Sequence, residues 1–278
     1  MDEGLFGPRS VAWKVVSHPA SFVGGLRSLI IQSLHPLAMA GVANHSDYKG
    51  RPLARLRRTA YYVAATTFGT TAQAHAAAAR VRAVHSRIRG TDPVTGKAYS
   101  ADDPETQLWV HNVEWHSFLV AYRKFGGRLS RSDEDRYLSE GARAASLLGV
   151  PESIVPKTIG ELRSYWARMR PLLCVSEQAR QAIDFVLDPP IMFDETLAYQ
   201  VPVRISARAA LALLPRYIRR IVNLPEPGAV EVASGMMIRS GSMLLRLPLM
   251  REAPSVFLGR ETYELSARAV RAFRVGAA

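Results

Sequence analysis

Apolar residues recur along this chain at intervals of three and four, and no stretch alternates residue by residue for long enough to suggest a sheet. The pattern predicts an all-α chain. From Pro52 through Thr67, Leu53, Leu56, Ala60 and Val63 share one helical face, and Gly69 interrupts the pattern. A second helix is expected from about Thr70 to Arg89, through the alanine-rich run 74–79, with Gly90 placed as its C-terminal cap. Asp92-Pro93 and Thr95-Gly96 make Gly90 to Ser100 a turn-rich loop or a small hairpin. Asp103 and Pro104 then supply the cap and first turn of a third helix, which carries Leu108, Trp109, Val110, His111, Trp115 and Phe118 towards Phe125 and stops at Gly126-Gly127.

Ser130 followed by Asp133 resembles a capping box and opens a fourth helix that ends at Gly149-Val150-Pro151. Further helices are expected over Thr158–Met169, Ser176–Leu187 and Ser206–Ile221, with joints at Pro156, Pro171, Pro189-Pro190 and Pro225. The whole reads as a single multi-helix domain over 1–225 with a C-terminal helical extension, 226–278, packed on it. From Ala229 the extension mixes Met236, Met237, Ile238, Met243, Leu244, Leu245, Leu247 and Leu249 with Arg239, Arg246 and Arg251. Such a stretch either packs as a final helical hairpin or lies on a membrane surface.

Composition narrows the classes. The chain has 278 residues, 48% of them hydrophobic and 22% charged, which supports a packed core rather than disorder. Its single cysteine, Cys174, excludes an intrachain disulfide, a Cys-rich metal site and covalent haem attachment through Cys-x-x-Cys-His. A lone thiol fits a reducing, cytoplasmic setting. Met1-Asp2-Glu3-Gly4 lacks the basic start of a signal peptide. The longest apolar stretch, Leu26 to Ala43, is interrupted by Arg27, Gln32, His35 and Pro36, so no transmembrane helix is expected. The net charge of +12 raises nucleic acid and anionic lipid as partners. The arginines are dispersed among alanine and leucine, with no aromatic stacking platform, which argues against nucleic acid and leaves peripheral association with an anionic membrane open. The oligomeric state is not legible.

Seven histidines are the main candidates for chemistry. Val81, Val84, His85 and Ile88 fall on one stripe that should be buried, and a histidine there either bonds a core group or binds a metal through a neutral nitrogen. His-Glu-x-x-His is absent, and His111-Asn112-Val113-Glu114 reverses the Glu-x-x-His order of di-iron bundles. His111 and His116 lie about 140° apart around a helix and do not converge. Neither a Gly-x-Ser-x-Gly elbow nor a phosphate-binding glycine loop occurs. A cofactor held by helices with one histidine as anchor suits haem b. Arg55, Arg58, Thr59 and Tyr62 form a second stripe, either a solvated edge or a set that meets haem propionates and bound oxygen. Trp109 and Trp115 are expected in the core rather than as a substrate platform.

Several short segments in one order carry a resemblance. They are His35-Pro36-Leu37 with Gly41-Val42-Ala43 and His45-Ser46; Pro52-Leu53 with Arg55-Leu56-Arg57-Arg58-Thr59; Phe68-Gly69; and Val81-Arg82-Ala83-Val84-His85 with Arg89-Gly90. Asp102-Asp103-Pro104 leading to Leu108-Trp109-Val110-His111, and Tyr122 with Phe125-Gly126-Gly127, complete the set. Over residues 5 to 225 the chain resembles the haem-dependent oxygenases that include rubber oxygenase (latex-clearing protein) and the MpaB oxygenase, a family once catalogued as a domain of unknown function.

The resemblance implies a globin-like helical core holding noncovalent haem b, with His85 as the iron ligand. It places Arg55 and Thr59 near the haem, and puts Arg58 where rubber oxygenases carry a lysine. Arginine is a poor iron ligand, so the distal position would be open or blocked by something else. Rubber oxygenases also use a distal glutamate as base; the corresponding region here, Asn44-His45-Ser46-Asp47, offers only His45 or Asp47. The implied site therefore comprises Arg55, Thr59 and His45 as catalytic residues, and His85, Arg55, Arg58, Arg89 and His111 around the cofactor. The implied partners are O2 and a small hydrophobic substrate, with an electron-rich alkene as the reacting group. Two other classes remain at this stage: a haem-binding sensor or carrier without turnover, and a basic helical binding module without cofactor.

Overall fold

Three helices precede the first one that the apolar pattern marks. α1 (Val11–Val16) begins at Ser10, whose hydroxyl accepts the Trp13 N–H at 3.1 Å. α2 (Ser21–Gln32) and α3 (Pro36–His45) divide the apolar stretch between them. His35 caps α3, its Nδ1 accepting the Ala38 N–H at 3.4 Å, and Pro36 fills the first turn, where a missing N–H costs nothing. These boundaries come from a computed structural model, which describes residues 2–189, 197–244 and 258–275. Among the described residues, no helix is long and apolar enough to cross a membrane.

α4 (Pro52–Phe68) and α5 (Thr71–His85) pack on each other and are separated by Gly69. α5 begins with a capping box between Thr70 and Gln73. It ends at His85, not Arg89 as the sequence predicts. The chain turns at Ser86–Ile88 and enters β1 (Arg89–Thr91), which pairs antiparallel with β2 (Ala98–Ser100). Gly90 is therefore a strand residue opposite Tyr99 rather than a helix cap. Its missing side chain is needed there, because a Cβ would lie 2.6 Å from the Tyr99 hydroxyl.

α6 (Pro104–Ala121) starts where the cap predicts, with Asp103 Oδ2 accepting the Thr106 N–H at 2.8 Å, and runs into a π-helical turn at Tyr122–Gly126. α7 (Arg131–Leu147) opens with the expected box: Asp133 N–H donates to Ser130 Oγ at 3.1 Å, and Ser130 N–H to Asp133 Oδ2 at 3.3 Å. α8 (Ile159–Met169) and α9 (Glu177–Leu187) follow close to their predicted bounds. The single helix expected over Ser206–Ile221 is two, α10 (Leu197–Ala212) and α11 (Arg216–Val222). Pro215 sits at the break, where its ring disfavours helix in the residue before it.

α6 has no exposed polar face beyond its first turn and lies at the centre, with Trp109 and Val113 fully buried and Trp115 nearly so. Both tryptophans are thus in the core, as expected. α2 packs closely on α6 because residue 24 is glycine: a Cβ would lie 2.8 Å from the Ser117 carbonyl oxygen and 3.0 Å from Phe118 Cα. Arg27 of α2 is buried beside this crossing, donating from Nη1 to Ser117 Oγ at 2.6 Å and from Nε to the Leu213 carbonyl at 3.0 Å. α10 covers the other side of α2, and α1 packs on α7. In the extension, α12 (Ala229–Leu244) packs on α10 and α13 (Arg260–Val275) on α4. Residues 245–257, with Leu245, Arg246, Leu247, Leu249 and Arg251, lie outside the described residues.

Candidate functional site

His85 stands at the last turn of α5, at the point where the chain leaves the helix for the hairpin. The stripe expected around it is not formed. Val84 is 59% exposed, and Ile88 lies past the helix end, where its side chain approaches Gly41 of α3. A stripe needs a continuous helix, and α5 stops three residues short of Ile88. His85 itself is half-buried, and its Nδ1 is buried without a hydrogen-bond partner. Burial lowers its pKa, while nearby Asp102 pulls in the other direction. Burial thus favours the neutral ring, and no core group takes up its Nδ1.

A cleft lined by Arg82, Ser86, Asp102 and Gln107 brings the end of α5 against the first turns of α6. Gln107 Oε1 is buried there and unpartnered. One turn further along α6 is His111, and one more turn brings Glu114. Burial alone pushes His111 down to about 3 and Glu114 up to about 7. Tyr62 of α4 is raised by burial and then by the Glu114 charge, which places phenol and carboxyl within electrostatic reach. All three residues are half-buried, and none of their side chains makes a hydrogen bond or ion pair among the described residues.

The other predicted site residues are distributed as follows. Arg55 is half-buried in the first half of α4, its guanidinium 5.8 Å from the centre of the Tyr48 ring. Burial lowers its pKa; the Tyr48 charge opposes this and Arg58 adds to it. Arg58 and Thr59 are exposed on the same helix. Arg89 is exposed in β1 and meets Asp102 at 3.9 Å. His45, at the end of α3, is exposed, with Nε2 3.2 Å from the Tyr99 hydroxyl. His111 lies 5.6 Å from the Trp115 ring within α6. The sequence reading singles out Tyr62 only as part of an arginine stripe and passes over Glu114 as the wrong half of a di-iron motif. The available signal was a carboxylate among the tryptophans and other large apolar residues of one helix.

His85 has the donor chemistry that a haem iron would need. Among the described residues, no three His, Cys, Asp or Glu side chains gather as a metal site, so a metal at His85 would need most of its ligands from a macrocycle. His85 offers the neutral imidazole that ligation needs, and its unpartnered nitrogen is the observation that such a ligand would explain. With no Cys-x-x-Cys-His in the chain, attachment would be noncovalent.

Comparison with known proteins gives one family. The model described as "ER-bound oxygenase mpaB/B'/Rubber oxygenase, catalytic domain" matches residues 13–244, from α1 to the end of α12. No curated protein and no solved structure matches the chain.

Proposed function

Because the chain belongs to the mpaB/rubber oxygenase catalytic-domain family, we propose that it is a haem-b-dependent oxygenase acting with O2 on a hydrophobic, alkene-containing substrate. The family supports oxygenase chemistry, and the observation that carries the cofactor is His85, a neutral imidazole at the rim of the site with a buried nitrogen that no protein group satisfies. Haem b held there supplies iron-centred oxygen chemistry.

The protein's part is to bind, orient and exclude water. His85 would hold the haem iron through its neutral imidazole. Arg55, Arg58 and Arg89 are the cations available to propionates, Arg55 being the most enclosed of them. Thr59 and His45 remain candidates for polar contact with the reacting groups, and His45 would have to share its ring with Tyr99. Exposed Val230, Val232, Met236 and Met237 on α12, in a chain of net charge +12, support peripheral contact with an anionic membrane. Cosedimentation with anionic but not neutral vesicles, reversed by salt, is the expected sign of it.

The deciding experiment is absorption spectroscopy of wild type and His85→Ala, both produced with haem supply. Wild type should show a Soret band, and the variant should lose it or change its coordination. An unchanged spectrum in His85→Ala removes His85 as ligand; a wild type that stays colourless overturns the cofactor. With haem bound, O2 uptake on adding an alkene, with carbonyl products, separates an oxygenase from a carrier or sensor.

A further inference from the structure

The outer face of α5 carries a charge pattern that solubility alone does not require. Between Asp47 and Asp92 the chain has nine Lys and Arg residues and no Asp or Glu. Helix faces that merely meet water usually interleave the two signs along their length. On α5 and its exit turn, Arg80, Val84 and Arg87 follow one another at helical spacing. The Arg87 N–H donates to the Val84 carbonyl at 3.2 Å, which carries the turn past the helix end. All three residues are exposed, Val84 by 59%. Neither arginine forms an ion pair among the described residues. α5 packs on α4 and touches α7, and these three positions stay uncovered.

Resting on the haem reading of His85 for its purpose, we propose that this face docks an acidic electron-donor protein, whose carboxylates meet Arg80 and Arg87 while an apolar side chain covers Val84. O2 binds reduced haem, so an oxygenase needs a supply of electrons. His85 directly follows Val84, so the ligand residue and the exposed surface sit on α-carbons about 3.8 Å apart. A donor seated on α5 gives up one electron, which takes the iron from ferric to ferrous; no bond is made or broken and no proton moves. The make-up of the face selects this partner. An apolar residue between arginines suits a protein interface, where Arg is enriched and Lys depleted, and α5 contains no Lys. Nucleic acid would gain nothing from Val84 and finds no Phe, Tyr or Trp on α5 to stack on. An anionic bilayer would meet one large apolar side chain here, whereas α12 exposes Val230, Val232, Met236 and Met237. A second copy offering the same face would set arginine against arginine.

The test measures binding of a plant-type two-iron ferredoxin, an acidic electron donor, and of cytochrome c, a basic protein, to the full chain produced with haem supply. At low salt ferredoxin should bind about tenfold or more tightly than cytochrome c, and should lose most of that advantage in about 0.5 M salt. Arg80→Glu combined with Arg87→Glu should weaken ferredoxin about tenfold or more. Arg163→Glu with Arg220→Glu makes the same change of net charge at exposed positions of α8 and α11, and should stay within about threefold of wild type. Val84→Ser should weaken binding about threefold with the salt dependence kept. Reduction of the haem by reduced ferredoxin, followed at the Soret band, should slow in the α5 double variant, while reduction by dithionite stays unchanged. Equal affinities for the two proteins, or equal weakening by the α5 pair and the control pair, would overturn the proposal. So would ferredoxin that reduces wild type no faster than the α5 variant, or a DNA duplex or anionic vesicles that lose as much affinity as ferredoxin in that variant. A chain that stays colourless yet binds ferredoxin through α5 counts against the haem reading alone. A Soret band with ferredoxin bound no better than cytochrome c counts against the docking face alone.

Discussion

The carboxylate of Glu140, on α7, accepts the Ala12 N–H at 2.8 Å and the Val11 N–H at 3.3 Å, closing the open amino end of α1 from another helix. Arg136 holds the same carboxylate at 2.9 Å. The first N–H groups of a helix have no partner within it, and an anion there also meets the positive end of the helix dipole. Glu140→Ala should therefore lower stability by about 1–2 kcal/mol. In urea unfolding, the midpoint should fall with little change in slope; an unchanged midpoint would show that water replaces the carboxylate without loss.

The crossing of α2 and α6 depends on residue 24 having no side chain. Gly24→Ala would force a methyl group against the Ser117 carbonyl oxygen and the Phe118 backbone, neither of which can yield without shifting a helix. A loss of about 1–3 kcal/mol is expected from overpacking. Gly241, inside α12 with open space around its Cβ position, is the control: Gly241→Ala should gain up to about 1 kcal/mol through helix propensity. Thermal midpoints that move the same way in both variants would remove the packing argument.

Glu114 predicts a pH dependence with a definite sign. Burial raises its pKa from 4.5 to about 7, so between those values the folded chain keeps a proton that the unfolded chain releases. Its contribution to stability must then fall as pH rises through that interval. Glu114→Gln cannot ionise and should gain on wild type from pH 4.5 to 7, by up to roughly 3 kcal/mol, less where solvent screens the half-buried charge. Above pH 7 the margin should level off. His111 acts in the opposite sense, since burial takes it from 6.5 to about 3 and stability is lost as pH falls through that range. Both proteins carry that effect, so it cancels in the difference. Denaturant midpoints at a series of pH values measure it, and a margin flat across the interval would assign the titration elsewhere.

Arg89 separates folding from binding. Its contact with Asp102 is long, 3.9 Å, and its side chain is 68% exposed, so Arg89→Ala should change stability by less than about 0.5 kcal/mol. Haem affinity, measured by titration of the chain followed at the Soret band, should weaken in the same variant if the guanidinium meets a propionate. Wild-type affinity would remove Arg89 from the cofactor set.

Helix identity was legible where capping chemistry is local. Asp103 with Pro104, Ser130 with Asp133, and Ser176 before α9 mark real starts because each cap acts within four residues. The end of α5 was not legible, because Gly90 serves two roles in sequence and only the pairing with Tyr99 decides between them. Likewise, Pro215 splits a pattern whose periodicity runs straight through it. At the site, the short segments around His85 point to the family, while the exposure of Val84 shows that periodicity alone misjudges a helix end. Glu114 and Tyr62, 52 residues apart in the chain, come within electrostatic reach from different helices, and no local pattern could pair them.

Tyr99 joins three pieces of chain. Its hydroxyl accepts from Asn44 Nδ2 at 3.0 Å and lies 3.2 Å from His45 Nε2, while its ring fills the space left by Gly90. The last turn of α3 and the hairpin are thereby fastened to each other and to the strand that leaves His85. Amide hydrogen exchange over 42–46 and 89–100 should consequently proceed in one shared opening event, so that admission of a bulky guest from this flank would disturb both segments at once or neither.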